Sequence, residues 1–87
     1  MSSADALPPP SFEVLVQVLA TPCFVHLGLI ENPATGQAET DLAQARWAID
    51  LLHVLRERTE ASQTKEEREQ IDSLLHQLRD AYLAARQ

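Results

Sequence analysis

Asp50 and His53 stand three residues apart, a spacing that sets both side chains on one face of a helix and lets them offer two ligands to one metal ion. Helical di-iron sites use a carboxylate-x-x-His pair twice. This chain has one such pair, with Asp in place of Glu, so a second copy must come from a symmetry-related chain. Arg46 and Glu57 share the same face at i, i+4, i+7 and i+11 and give the simpler reading, a solvated ladder of paired charges. Metal binding by Asp50 and His53 is therefore the weak alternative. His26 lies among Leu15, Leu19 and Pro22, the setting of a packed or interface histidine. His76 has Asp72 and Asp80 at i−4 and i+4, and local charge pairing accounts for it. Cys23 is the only cysteine, which excludes a disulfide. Its apolar neighbours indicate a buried, reduced thiol, and no basic residue lies close in sequence to activate it.

Nothing else in the chain is organised for catalysis. Ser11, Ser62 and Ser73 lack the context of a nucleophile with its base. The only glycines are Gly28 and Gly36, so there is no phosphate loop. No catalytic residue and no cofactor are assigned, and the expectation is a protein that is not an enzyme. The net charge of −6 is spread evenly along the chain. Residues 31–58 set five acids against three arginines, and residues 59–87 set six acids against four bases. No segment is a basic patch, which argues against nucleic acid and anionic membranes as partners.

The elements that must carry these residues are helices. Ser11 to Ile30 is apolar around most of its circumference, with a polar strip of Glu13, Gln17 and Thr21 only. A helix hydrophobic nearly all round must be buried nearly all round. A single chain of this size builds only a thin core. Val14 to Ile30 is at the bottom of the membrane-spanning range, contains Gln17, Pro22 and His26, and lacks flanking anchors, so a span is not expected. The opening MSSADALPPP has no positive stretch of a secretory signal, and a cytoplasmic protein is expected.

In order, residues 1–10 read as a disordered, proline-rich tail, and residues 11–87 as a single helical domain. Ser11 reads as an N-cap, and Gly28 as the stop of the first helix. Pro22 inside it predicts a kink, or a split with Thr21–Pro22 opening a second short helix. Glu31 to Glu39 is a loop with Asn32–Pro33 and Thr35–Gly36 turns. A second helix runs from Thr40 or Asp41 to Thr59, with an Asp41/Gln44 capping signature. Its apolar face is Leu42, Ala45, Ala48, Ile49, Leu51, Leu52 and Leu55, with Trp47 and Val54 on its flank. Glu60 to Gln63 links it to a third helix, which opens on the capping box Thr64 to Glu67 and runs to about Ala85. Ile71, Leu74, Leu75, Leu78, Ala81, Tyr82 and Ala85 form its stripe. The short link predicts an antiparallel hairpin.

Several of these residues, taken in order, resemble a small bacterial family known as domain of unknown function 1844. They are Ser11-Phe12, Leu15, Leu19-Ala20, Leu27-Gly28, Asn32-Pro33, Gly36, Asp41-Leu42, Ala45, Ile49-Asp50, Leu52, Thr59, Thr64, Glu66-Glu67, Leu78-Arg79 and Tyr82. The likeness covers residues 11 to 83. It departs at Glu60–Gln63, where the family tends to carry Gly-Asn-Leu. The resemblance implies a small helical protein with no assigned activity and supplies no catalytic residues.

The resulting expectation is an all-α fold of three helices, assembled as a homodimer or higher homo-oligomer with the first helices paired at its centre. Two-fold symmetry is the commonest way to cover such a surface. The interface residues expected are Phe12, Leu15, Leu19, Phe24, Leu27 and Trp47. The function expected is self-association, as an interaction or scaffolding module. The alternatives are a helical protein binding a metal or small apolar ligand, or a first helix that fills a groove on another protein.

Overall fold

Each of the three helices begins where a side-chain oxygen takes up a free backbone amide. Ser11 Oγ accepts from Val14 N at 3.1 Å and opens α1, Phe12–His26. Asp41 Oδ1 accepts from Gln44 N at 3.1 Å and opens α2, Leu42–Arg58. Thr64 Oγ1 accepts from Glu67 N at 3.1 Å, while Thr64 N donates to Glu67 Oε1 at 2.8 Å, and this reciprocal box opens α3, Lys65–Ala85. The computed structural model describes residues 7–87. The proline-rich tail expected over residues 1–10 falls mostly outside them; Leu7 to Pro10 are exposed and belong to no helix. Among the described residues the architecture is all-α, with no strand and two isolated bridges in the α1–α2 connection.

α1 is one continuous helix through Pro22, so the split after Thr21 does not occur. Proline leaves the Val18 carbonyl without its usual partner. The carbonyls on either side of that gap are taken by side chains. Thr21 Oγ1 donates to Gln17 O at 2.9 Å, and Cys23 Sγ donates to Leu19 O at 3.6 Å.

The end of α1 is a Schellman stop. Gly28 N donates to Val25 O, and Leu29 N donates to Phe24 O, both at 3.0 Å. The stop requires a left-handed residue, and Gly28 has φ +76°. The chain then returns through a turn in which Asn32 N donates to Gln37 O at 2.9 Å. Asp41 N donates to His26 O at 2.8 Å, tying the start of α2 to the end of α1. A β-carbon on Gly28 would lie 2.7 Å from Thr40 Oγ1, so this junction excludes a side chain on two grounds.

α2 is the middle element. It packs against α1 on one side and α3 on the other, while α1 and α3 touch far less. One core results: Val16, Ala20, Cys23 and Leu27 from α1 and its end, Ala45, Ala48, Ile49 and Leu52 from α2, and Ile71, Leu75 and Leu78 from α3. The α2 and α3 residues are those their apolar periodicity predicts.

At the α2–α3 link, Glu60–Ser62 form one 3-10 turn. No glycine closes α2 here. Instead, Gln63 Nε2 donates to Arg56 O at 3.0 Å and to Thr59 Oγ1 at 2.8 Å, and Thr59 Oγ1 donates to Leu55 O at 2.6 Å. Two side chains thus satisfy carbonyls that a glycine-based stop satisfies with backbone amides.

Gly28→Ala is expected to lower stability by about 1–2 kcal/mol from the left-handed backbone alone, and further from the contact with Thr40. Thr40→Ala in the Gly28→Ala background should restore part of the loss. Urea unfolding of the single and double variants measures both components, and equal midpoints for the two would show that the Thr40 contact contributes nothing.

Candidate functional site

Two features of the folded chain are available to a ligand or partner: a polar groove between α2 and α3, and apolar side chains left outside the core.

The groove has a volume of about 660 Å³. α2 contributes Arg46, Ile49, Asp50, His53 and Arg56; α3 and its end contribute Asp72, Leu75, His76, Arg79, Tyr82, Leu83 and Arg86. Asp50 and His53, predicted on a solvated helix face, are exposed as expected and line one side of this open groove. The α3 half is not predicted from sequence. Its signal is present all the same: Asp72, His76, Arg79, Leu83 and Arg86 recur at i, i+4, i+7, i+11 and i+14, a stripe flanking the buried one.

At the end of the groove nearest the turn, Arg56 and Asp72 form a two-pronged ion pair. Arg56 Nε donates to Asp72 Oδ1, and Arg56 Nη2 donates to Oδ2 at 3.4 Å. The hydrogen bonds from Arg56 hold the Asp72 carboxyl below the usual carboxylate range, and those to Asp72 raise Arg56. At the other end, the Arg86 guanidinium lies 6.0 Å from the centre of the Tyr82 ring. His76 Nε2 lies 3.4 Å from Asp80 Oδ2, the i+4 pairing its sequence position predicts. Among the described residues of one chain, no three His, Cys, Asp or Glu side chains converge as metal ligands, so Asp50 and His53 meet no third donor within it.

The six predicted interface residues separate by burial. Leu27 is 5% exposed and is committed to the chain's own core. Phe12, Leu19 and Phe24 are half-buried against that core. Leu15, at 45%, and Trp47, at 63%, stand in solvent. Val18 and Val54 join them at 61% and 53%, although neither was predicted as an interface residue. Leu15, Val18 and the exposed Pro22 follow one another at i, i+3 and i+7 along the outer side of α1. The strip could be found from sequence only by knowing which quarter of α1 the core takes.

His26 is half-buried. Cys23 is fully buried and unpaired, and burial pushes its thiol up to about 11. A thiol held protonated in a dry core is neither nucleophile nor ligand. Among the described residues, no helix is long and apolar enough to cross a membrane.

A family model described as "Domain of unknown function (DUF1844)" matches residues 9–84, and the chain belongs to that family. No curated protein and no solved structure matches it.

Two outcomes follow from these geometries. A disulfide-exchange reagent at pH 8 should label Cys23 at least about a hundredfold more slowly in the native chain than in denaturant, because the thiolate is suppressed and enclosed; equal rates would place Cys23 at the surface. Asp72 has a lowered carboxyl pKa in the fold. Its contribution to stability is therefore complete above the ordinary carboxylate range and is lost as pH falls through the folded value. Urea midpoints at pH 7 and pH 3 should fall less for Asp72→Asn than for the unaltered chain.

Proposed function

We propose that this DUF1844 protein is a non-enzymatic helical interaction module that pairs with a second copy of itself through the outer side of α1. One observation carries the reading. α1 fully buries Val16, Ala20 and Cys23 and half-buries Phe12, Leu19 and Phe24, and still leaves Leu15 and Val18 at 45% and 61% exposure on its outer side. Large apolar side chains ordinarily rank among the most buried. Burying one of this type is worth about 1.5–3 kcal/mol, so a face carrying several of them stabilises association once it is covered. Trp47, 63% exposed on α2, is the type of residue that anchors interfaces.

A second copy is the occupant proposed because a two-fold axis lets one apolar strip cover its equivalent without a new partner surface. The net charge of −6 keeps the assembled pair soluble. The metal-binding alternative, with Asp50 and His53 paired across a two-fold axis, has no separate observation that favours it over self-association.

Sedimentation equilibrium at micromolar concentration should give about twice the 9.7 kDa chain mass, and Val18→Asp should return the single-chain mass with the helical circular dichroism unchanged, because an unpaired carboxylate is costly to bury. A single-chain mass for the unaltered protein across the micromolar range overturns the proposal, and captures of a different protein by the same face would then be the reading to pursue.

A further inference from the structure

The chain is acidic, yet four of its six arginines line one groove. Arg46 and Arg56 come from α2; Arg79 and Arg86 come from α3 and its end. Only Asp50 and Asp72 oppose them on the lining, so the groove carries a formal +2 while the rest of the chain carries −8. The cations are also unevenly engaged. Arg56 holds Asp72, but among the described residues no carboxylate forms an ion pair with Arg46, Arg79 or Arg86. These three belong to the end of the groove away from the turn, together with Tyr82 and the half-exposed Leu83. Of the two carboxylates on the lining only Asp50 stands at this end, and it forms no ion pair with the three arginines; the excess of like charge repels, and an anion placed among them relieves that repulsion.

We infer that this end of the groove binds a compact organic dianion with an apolar or aromatic body. The guanidiniums supply forked donors of the shape that phosphate and carboxylate groups accept. The side chains of Tyr82 and Leu83 give the body a surface to cover. The whole groove, about 660 Å³ and open to solvent, has room for a small ligand at this end. Size is the decisive argument. Charges beyond about 8 Å are largely screened at physiological salt, so a short ligand feels the local +2. A polyanion reaching past the groove meets the −8 of the remaining surface. Nucleic acid and long acidic peptides are disfavoured on that ground, and a two-charge ligand is not. The site is independent of the α1 face, and either assignment can fail alone.

The test is a nuclear magnetic resonance titration of the full chain with phenyl phosphate and with phthalate, which carry the same double charge as phosphate and as carboxylates. Inorganic phosphate and phenol supply the two halves separately. Saturable shifts at Arg79, Leu83 and Arg86 are expected with at least one of the two aryl dianions, about tenfold tighter than with inorganic phosphate. The tighter of the two identifies the head group. Arg79→Gln and Arg46→Gln should each weaken binding about fivefold or more, while Arg58→Gln, outside the groove, leaves it unchanged. No saturation with either dianion at millimolar concentration overturns the inference. So does equal loss in Arg58→Gln, which would mark diffuse attraction, and so does tighter binding of an oligothymidylate or oligoglutamate.

Discussion

The structure depends on how closely α1 can approach α2. The core residues α1 brings are Val16, Ala20, Cys23 and Leu27, spaced at i, i+4, i+7 and i+11, and α2 brings Ala45 and Ala48 among its own. Small side chains at a helix seam let backbones come near, and dispersion contacts between them accumulate even though each is weak. That seam has a second effect. α1 is apolar nearly all round, and one seam with its flanks covers only part of that circumference. Leu15 and Val18 lie outside it, so the apolar excess of α1 becomes surface rather than core.

The middle position of α2 follows from the same economy of material. It meets both α1 and α3 more extensively than those two meet each other. With only three helices, the α2–α3 hairpin cannot be roofed by a fourth element. Its two flanking stripes, Arg46 to Arg56 and Asp72 to Arg86, therefore face each other across an open groove rather than across a packed seam. The ion pair between Arg56 and Asp72 holds the two helices together near the turn, where Gln63 and Thr59 also cap α2. Arg46, Arg79 and Arg86 at the far end keep their charges unopposed by any ion pair among the described residues. Even charge along the sequence and uneven charge in space are compatible, because helices of period 3.6 bring together residues that are distant in the chain.

Much of this was legible in residue patterns, and the reasons are local. Ser11, Asp41 and Thr64 cap the helices they were expected to cap, because an N-cap acts on amides two or three residues away. Gly28 ends α1 because the Schellman stop needs a left-handed residue at that point. The stripes of α2 and α3 were readable because half their surface is polar, so the apolar half has only one place to go. α1 gave no such guide. With apolar residues nearly all round, its periodicity does not say which side is buried, and Phe12, Leu19, Phe24 and Leu27 turned inward while Val18 stayed out. Pro22 was equally ambiguous: a proline can split or merely perturb a helix, and the neighbouring carbonyls taken by Thr21 and Cys23 accompany the continuous form.

From its residues alone this chain is determined to be three helices in a set order, without the disulfide, glycine-rich loop or ligand clusters that would announce a chemistry. Those properties rest on hydrogen bonds and periodicities that span a few residues. Tertiary structure decided which face of α1 is hidden, and that four arginines from two helices share one groove. Both depend on contacts between elements separated by a dozen residues or more, and no local pattern encodes the angle at which one helix meets the next.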